Sequence, residues 1–227
     1  MDMYWEKFGR NPFTKTQQQQ IRGTTFAIVG LGGTGGFIFE NLLRAGAERF
    51  VLFDHDRFEL SNFNRQLFCS DKTLDKPKVS SAIDHAKSVN KDVRIKTNGR
   101  FEKGSSLRGV DILLDGADNL PTKLTMARSA RKEGIPYVFC AAGSVRGLVT
   151  VFTRYPFEKA FQVPTDTDDL GRYSVCATVL CPAASFAASI ASSQALNLCV
   201  GKPVVRAPEA VFFDLFRKDF FWRSELG

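Results

Sequence analysis

Four glycines are the first residues along this chain that suggest chemistry. Gly30, Gly32, Gly33 and Gly35 follow a short apolar run and lie within the sequence GLGGTG. Three of them fit the G-x-G-x-x-G spacing, in which glycine allows a tight turn, a close approach of backbone to phosphate and close packing of helix on strand. A helix that begins here presents free N–H groups and the positive end of its dipole to an anion. The pattern predicts a nucleotide-binding turn.

A second apolar run ends at Asp54 and supports the same prediction. Residues 50–53 read FVLF, and the acid that follows them stands where a second parallel strand is expected to end. A carboxylate at this position accepts hydrogen bonds from both ribose hydroxyls. Turn, helix, strand and acid together predict a nucleotide-binding βαβ unit, but they do not choose between a dinucleotide and ATP.

Two cations and one further acid favour ATP. Arg65 carries a forked set of donors that suits phosphate oxygens, and Lys78 stands at the predicted start of a helix. Together they exceed what the pyrophosphate of a dinucleotide needs, and they suit a triphosphate. Asp118 follows another apolar run, at a strand end where a carboxylate is well placed to hold Mg²⁺ together with several waters. We therefore predict a site for ATP with Mg²⁺ at Asp118.

The elements that must position these residues alternate between strand and helix. This alternation predicts an α/β fold with a Rossmann-like, mostly parallel sheet flanked by helices, and residues 144–155 and 209–222 are expected to add antiparallel C-terminal strands. Predicted strands cover 25–29, 50–53, 93–95, 110–114 and 137–141, and predicted helices cover 37–43, 79–90, 121–133 and 182–198. No break in composition marks a second domain, so 1–227 is expected to form a single ATP-binding domain. Within it, 1–22 is predicted to be an N-terminal arm with a short helix, and 156–175 a mobile crossover loop.

The composition argues against several classes of protein. Of the 227 residues, 44% are hydrophobic, and the apolar runs are far shorter than the roughly 20 residues that span a bilayer. The polar N-terminus lacks the apolar core of a secretion signal, so we expect a cytoplasmic protein with no membrane partner. The net charge of +7 is spread along the chain, which argues against nucleic-acid binding and favours anionic ligands or an acidic partner. The five cysteines include no C-x-x-C pair, so no zinc is expected.

Five separated motifs resemble those of the ThiF/MoeB-like adenylyltransferases, which are relatives of the ubiquitin-activating enzymes. They are GLGGTG at 30–35, Asp54-x-Asp56, SNFNRQ at 61–66, DKPKV at 75–79 and DGADN at 115–119. The match in order and spacing covers most of the chain. The resemblance implies a Rossmann-like sheet, a homodimer, and ATP-dependent adenylation of the C-terminal carboxylate of a partner. That partner is a ubiquitin-like or sulfur-carrier protein with a C-terminal glycine tail.

The resemblance also implies roles for individual residues. Asp54 would bind the ribose of ATP, whereas Arg65 and Lys78 would hold its phosphates, with support from Asn62 and Gln66. The two cations would also act in catalysis, by offsetting charge on the leaving pyrophosphate.

Three more residues acquire roles in the same way. Asp118 would be the magnesium ligand and a catalytic acid on the pyrophosphate side, and Asn119 would belong to the nucleotide site. Arg10, in the sequence FGRNP, stands where the family has an arginine that reaches the nucleotide of the partner subunit. Many family members carry two C-x-x-C pairs for structural zinc, and this chain departs from them.

Two cysteines are candidate nucleophiles. The run Val175-Cys176-Ala177 resembles the catalytic-cysteine region of the small activating enzymes for ubiquitin-fold modifiers, and a thiolate at a helix N-terminus is especially reactive. Cys176 is therefore the preferred candidate for a thioester or persulfide step, and Cys181 is the alternative. In a third interpretation both are packed thiols of an enzyme that only adenylates.

Three other functions stay open at this point. One is adenylation of a non-protein carboxylate, such as a tRNA-linked one, or of a peptide, which the net charge of +7 would suit. Another is an NAD(P)-dependent oxidoreductase, which the glycine motif favours but the polar stretch 61–66 does not. The last is a scaffold without catalysis, against which Arg65, Lys78 and Asp118 argue.

Overall fold

The structure, a computed structural model, describes residues 2–163 and 178–227, and its strands form one eight-stranded sheet. They are β1 Thr25–Val29, β2 Arg49–Phe53, β3 Arg94–Asn98, β4 Ile112–Asp115, β5 Tyr137–Gly143, β6 Arg146–Phe152, β7 Glu209–Asp214 and β8 Phe221–Glu225. Their order across the sheet is β3-β2-β1-β4-β5-β6-β7-β8. The first five strands pair in parallel, and β6, β7 and β8 join as antiparallel strands. The predicted fold class is confirmed.

Seven α-helices accompany the sheet in the described ranges. They are α1 Met3–Phe8, α2 Lys15–Gly23, α3 Gly33–Arg44, α4 Lys78–Val89, α5 Leu120–Glu133, α6 Phe157–Phe161 and α7 Cys181–Cys199. Helix α3 begins at Gly33, whereas the prediction placed its start at residue 37. The first turn is rich in glycine, which has a low helix propensity, so the sequence pattern did not indicate a helix there. None of the helices in the described ranges combines the length and apolarity that crossing a bilayer requires.

The loop prediction over 156–175 is wrong at its start. Phe157–Phe161 form α6, and the ring of Phe157 is buried within 5.3 Å (centroid to centroid) of the ring of Phe152. A helix this short is too brief to show an apolar period, and it is stabilised by ring packing rather than by its own sequence. Residues 164–175 lie outside the described residues.

The sheet is covered on both faces, as its sequence pattern requires. Alternate residues of β1 point to opposite faces, so Phe26 packs toward α3 while Ala27 packs toward α5. On the first face, α7 packs against α3 and β5, and the residues that it buries in this core are small, which allows a close approach: Ala183, Ala187, Ala188, Ala191 and Ala195. The apolar cores on the two faces hold the sheet in place, and with it the carboxyl ends of the parallel strands.

The predicted N-terminal arm forms two helices that pack at one end of the sheet. Tyr4 is buried, and its hydroxyl donates to the carbonyl of Gly46 over 2.9 Å. The amide of Gln18 donates to the carbonyl of Ala45 over 2.7 Å. Because residues 45–48 lead into β2, the arm lies at the amino end of that strand.

Candidate functional site

A cavity of about 1080 Å³ lies at the carboxyl ends of the parallel strands. The strand order turns back at β1, which has β2 on one side and β4 on the other, and such a switch point opens a crevice at the carboxyl edge. The structure brings most of the predicted site residues to its wall: Gly30, Gly32, Gly33, Asp54, Arg65, Gln66, Lys78, Asp118 and Asn119.

The glycines of the turn serve two different purposes. Gly30 has φ +84, and a Cβ on Gly35 would lie 1.8 Å from the carbonyl oxygen of Gly30. Gly116, which follows β4, packs against both of them, because its own Cβ would lie 2.3 Å from the same oxygen. Gly30, Gly35 and Gly116 thus let α3 start directly on the strand ends, and Gly35 does not line the cavity.

Gly32 and Gly33, in contrast, present backbone to the cavity. A Cβ on Gly32 would meet no atom closer than the Gln66 amide at 3.6 Å, and one on Gly33 none closer than the Arg65 side chain at 3.5 Å. Both glycines line the cavity where α3 begins, and the first N–H groups of a helix have no partner within the helix. This cradle fits the phosphate of a nucleotide.

Asp54 is held by its own backbone surroundings at the end of β2. Its two carboxylate oxygens accept from the N–H of Leu31 over 2.6 Å and from the N–H of Asp56 over 2.8 Å. The carboxylate is half-buried on the cavity wall. It is therefore fixed in place beside the glycine turn, where a ribose is expected.

Two cations reach the same wall from different directions. Lys78 opens α4, is only 6% exposed, and its Nζ lies 3.1 Å from the carboxylate of Asp56. Arg65 is braced by the carbonyl of Ser61 at 2.7 Å and by Asn64 Oδ1 at 2.8 Å, both of which accept from its Nη1. The two charges are thus held against the cavity by short-range contacts.

Of the two predicted supporting residues, Gln66 lines the cavity and Asn62 does not. Gln66 lines the cavity, and its buried Oε1 has no hydrogen-bond partner among the described residues. Buried polar atoms are nearly always paired, so this atom points to a polar ligand. Asn62 closes the short 3₁₀ helix Leu60–Asn62 through a hydrogen bond that its Oδ1 accepts from the N–H of Glu59, and it does not line the cavity.

The segment after β4 carries the predicted magnesium ligand. Asp118 is exposed on the cavity wall, and its Oδ1 accepts from the side-chain amide of Asn119 over 3.1 Å. Asn119 is also the N-cap of α5, because its Oδ1 accepts from the N–H of Thr122 over 2.9 Å. The cap fixes the start of α5 and so helps to position Asp118, which lies between the end of β4 and this helix.

Sequence reasoning missed a buried polar cluster beneath this segment. Asp115 is fully buried and accepts from Lys123 Nζ over 2.9 Å, from the hydroxyl of Tyr137, and from the N–H of Ala117 over 3.0 Å. Lys123 Nζ also donates to the carbonyl of Cys140 over 2.9 Å. The only sequence signal was a strand-end acid followed by a lysine in the first turns of the next helix.

Burial in this cluster shifts two pKa values. Desolvation, helped by the nearby charge of Asp115, raises the pKa of the Cys140 thiol from about 9 to about 12. The same two causes hold the pKa of the Tyr137 hydroxyl well above its usual range. Both groups are therefore neutral at physiological pH, which leaves Lys123 as the charge partner of Asp115.

Three further candidates lie away from the cavity wall or outside the described residues. Arg10 is exposed in the N-terminal arm, next to Asn11, whose amide donates to the carbonyl of Ala45 over 3.1 Å. Cys176 lies outside the described residues. Cys181 is the first residue of α7, three positions before Ala184, which does line the cavity.

Comparison with known proteins agrees with this site. Residues 6–225 match the ThiF family. The molybdopterin-synthase adenylyltransferase of Haemophilus influenzae is 30% identical over 195 residues, which are 82% of this chain and 79% of that protein. The sulfur carrier protein ThiS adenylyltransferase of Bacillus subtilis is 30% identical over 230 residues, which are 95% of this chain and 64% of that protein.

A solved structure extends the likeness to the fold. Escherichia coli tRNA N6-threonylcarbamoyladenosine dehydratase, solved in complex with AMP, superposes with a TM-score of 0.73 at 18% identity and covers 88% of this chain and 97% of its own. The family match favours the adenylyltransferase hypothesis over the oxidoreductase and scaffold alternatives. Because it spans nearly the whole sequence, the chain belongs to the ThiF family.

Proposed function

We propose that this protein uses ATP to adenylate the C-terminal carboxylate of a ubiquitin-like or sulfur-carrier protein. The observation that carries the proposal is the convergence on one cavity wall of an anion-binding helix start, a fixed carboxylate at Asp54 and two braced cations, Arg65 and Lys78. Relatives named as adenylyltransferases of molybdopterin synthase and of the sulfur carrier ThiS support it. A relative named ubiquitin-like modifier-activating enzyme 5 supports the same class of partner.

The chemistry needs positioning and charge rather than a base. The terminal carboxylate of the partner is already ionised near neutral pH and attacks the α-phosphorus of ATP, so that an acyl-adenylate forms and pyrophosphate leaves. The N-terminus of α3, Arg65 and Lys78 would stabilise the charge that builds on the phosphates. Asp54 would hold the ribose and so fix the α-phosphate relative to the cations.

Asp118 suits a magnesium ion better than the other acids of the cavity. Asp54 accepts two backbone hydrogen bonds, and Asp56 pairs with Lys78, whereas Asp118 is exposed and accepts one amide hydrogen bond. Asp54, His55 and Asp56 do bring ligand atoms within 4.8 Å of one another. The two carboxylates of this group, however, are already engaged by the backbone hydrogen bonds to Asp54 and by the ion pair of Asp56 with Lys78. When bound, Mg²⁺ would supply further electrostatic stabilisation of the phosphate oxygens.

The position of Arg10 supports a homodimeric site. The arm lies at the amino end of β2, whereas the cavity lies at the carboxyl ends of the strands, so Arg10 does not approach its own cavity. In a homodimer, Arg10 of one subunit would reach the nucleotide of the other. An Arg10→Ala subunit mixed with an Arg65→Ala subunit should then regain activity, since one of the two sites in the mixed dimer would be intact.

A cysteine step would follow adenylation. The thiolate of Cys176 would attack the acyl carbon of the adenylate, form a thioester and release AMP, and Cys181 is the alternative nucleophile. Mass spectrometry of the protein with ATP and the partner should find the adduct on Cys176. A Cys176→Ala variant that still carries the adduct would transfer the role to Cys181.

The proposed function is tested by ATP–pyrophosphate exchange with candidate carrier proteins. Exchange should depend on the carrier and should fall at least about 100-fold in Asp118→Ala, since lost electrostatic stabilisation of this kind is worth that much. Asp84→Ala is a matched control, because Asp84 is exposed on α4 and away from the cavity. Unimpaired exchange in Asp118→Ala would refute the proposed metal role.

A second candidate function is adenylation of a tRNA-linked carboxylate, with which the net charge of +7 is compatible. Such a protein should bind tRNA with an affinity that falls steeply as salt increases. Filter binding at two salt concentrations separates this candidate from the first, because an enzyme that adenylates only carrier proteins is not expected to bind tRNA.

A further inference from the structure

A single ring nitrogen beside Asp54 has two partners that it cannot serve at once. His55 follows Asp54 after β2, is exposed and lines the cavity. Its Nε2 lies 2.7 Å from Nη2 of Arg100 and 3.3 Å from Oδ1 of Asp56. A guanidinium can only donate a hydrogen bond and a carboxylate can only accept one, so the protonation of Nε2 decides which of the two contacts forms.

Backbone contacts hold the segment that carries Arg100 beside His55. Asn98 ends β3 opposite the last residue of β2, and its carbonyl accepts from the N–H of Asp54 over 3.3 Å. Phe101 is buried, and its ring centroid lies 5.0 Å from that of Phe53, so it anchors the chain directly after Arg100. The backbone on both sides of the contact is thus tied to the sheet, and an exchange of partners requires movement of side chains alone.

The charged groups around His55 come from three parts of the fold. Asp54 and Asp56 follow β2, Lys78 opens α4 and Arg100 follows β3, and all four line the cavity. Asp54 is engaged by two backbone N–H groups, whereas Oδ2 of Asp56 lies 3.1 Å from Nζ of Lys78. Asp56 therefore links the ring of His55 to one of the two cations assigned to the phosphates.

Protonation of the ring exchanges one contact for the other. In the neutral ring with its proton on Nδ1, Nε2 accepts from Arg100 and holds that guanidinium on the cavity wall. A protonated ring carries an N–H at both nitrogens and a positive charge, so it donates to Asp56 and repels Arg100. Histidine is the side chain whose charge ordinarily changes in the physiological range of pH, so a modest change in pH is enough to exchange the partners.

We propose that His55 is a positioning residue of the nucleotide site, and that its protonation releases Arg100 and Lys78 toward the nucleotide, so that ATP binds more tightly as pH falls. Three effects have this sign. The charged ring adds a positive charge beside a polyanionic ligand, Arg100 loses its partner on the wall, and Asp56 holds Lys78 less tightly once it is shared with His55. The inference rests on the nucleotide site of the proposed function but requires no carrier protein.

Calorimetric titration of the full protein with Mg-ATP, in the absence of any carrier protein, tests this coupling. The affinity should be roughly two- to fivefold higher at about pH 6 than at about pH 8, the range expected for charges that are partly exposed to solvent. By linkage, such a change corresponds to an uptake of roughly 0.15–0.35 proton per bound nucleotide, averaged over those two pH units. Titrations in two buffers of different ionisation enthalpy measure this uptake directly.

Two variants separate the charge of the ring from the released guanidinium. His55→Gln keeps an acceptor for Arg100 but cannot become charged, so its affinity should match that of the unsubstituted protein at the higher pH and should not rise at the lower pH. Arg100→Gln should show a smaller rise, because the ring still becomes charged but no guanidinium is released. Both residues are exposed, so the circular dichroism spectrum of each variant should be unchanged.

His85→Gln is the matched control, because His85 is the second of the two histidines of the chain and does not line the cavity. It lies on α4, with its Nε2 2.6 Å from a carboxylate oxygen of Glu40. This variant should keep the full rise in affinity. An affinity that is unchanged or lower at the lower pH, a rise that persists in His55→Gln, an undiminished rise in Arg100→Gln, or a rise that His85→Gln abolishes would overturn the inference.

Failure here and failure of the proposed function give different results. Carrier-dependent pyrophosphate exchange, together with Mg-ATP binding whose pH dependence does not require His55, overturns the role of His55 alone. A rise in affinity that requires His55, without any exchange, supports the role of His55 and counts against adenylation of carrier proteins. A protein that binds no Mg-ATP at either pH contradicts both.

Discussion

Lys123→Met probes the buried cluster that supports the cavity floor. Lys123 Nζ lies 2.9 Å from Asp115 Oδ2, and Asp115 is fully buried. At that separation, an effective dielectric constant of about 20 gives an attraction of about 6 kcal/mol, from which the cost of desolvating both ions is subtracted. Among the described residues, removing the lysine leaves Asp115 with the Tyr137 hydroxyl and the N–H of Ala117. Since a buried charge without its partner costs about 3–5 kcal/mol, the free energy of unfolding should fall by that amount.

Urea denaturation at neutral pH, followed by circular dichroism, measures this loss. Lys132→Met is a matched control, because Lys132 is exposed on the same helix and should change the free energy of unfolding by less than about 0.5 kcal/mol. The double variant Asp115→Asn/Lys123→Met should recover at least half of the loss, because no charge remains buried. A loss below about 1 kcal/mol in the single variant, or no recovery in the double variant, would refute the proposed charge pairing.

Three other predictions concern single residues. The pKa of Cys140 is about 12 in the folded protein and near 9 when unfolded, so the unfolded state loses its proton first as pH rises. Across that window Cys140 should lower the free energy of unfolding by about 1.4 kcal/mol per pH unit, and Cys140→Ala should show a correspondingly shallower alkaline decline in denaturation curves. Gly35→Ala should prevent folding, because its Cβ would lie 1.8 Å from a carbonyl oxygen, whereas Gly33→Ala in the same helix should fold normally by circular dichroism. Asn119→Ala removes the N-cap of α5 and should cost about 1 kcal/mol in urea denaturation, and an unchanged midpoint would contradict the capping role.

Local sequence patterns were sufficient for the nucleotide end of the fold. The apolar run of β1, the glycine turn and the acid after β2 lie within one short stretch, so their spacing alone predicted the βαβ unit that the structure contains. Strand and helix signals predicted the parallel sheet and its antiparallel extension for the same reason, since periods of 2 and 3.6 residues are properties of the local chain. The predicted roles of Arg65, Lys78 and Asp118 stay predictions, although the structure places all three on one cavity wall.

Contacts between distant segments decided the rest. No local pattern shows that Gly35 packs on Gly30 and Gly116, or that Lys123 neutralises Asp115 beside Tyr137, because sheet register and helix placement create those contacts. The stacking of Phe212 on Trp222 likewise exists only because β7 and β8 pair in this register. The sequence by itself determined the elements and the nucleotide-binding motif, whereas only the tertiary structure decided which residues share a surface, since burial and pairing depend on the whole packed chain.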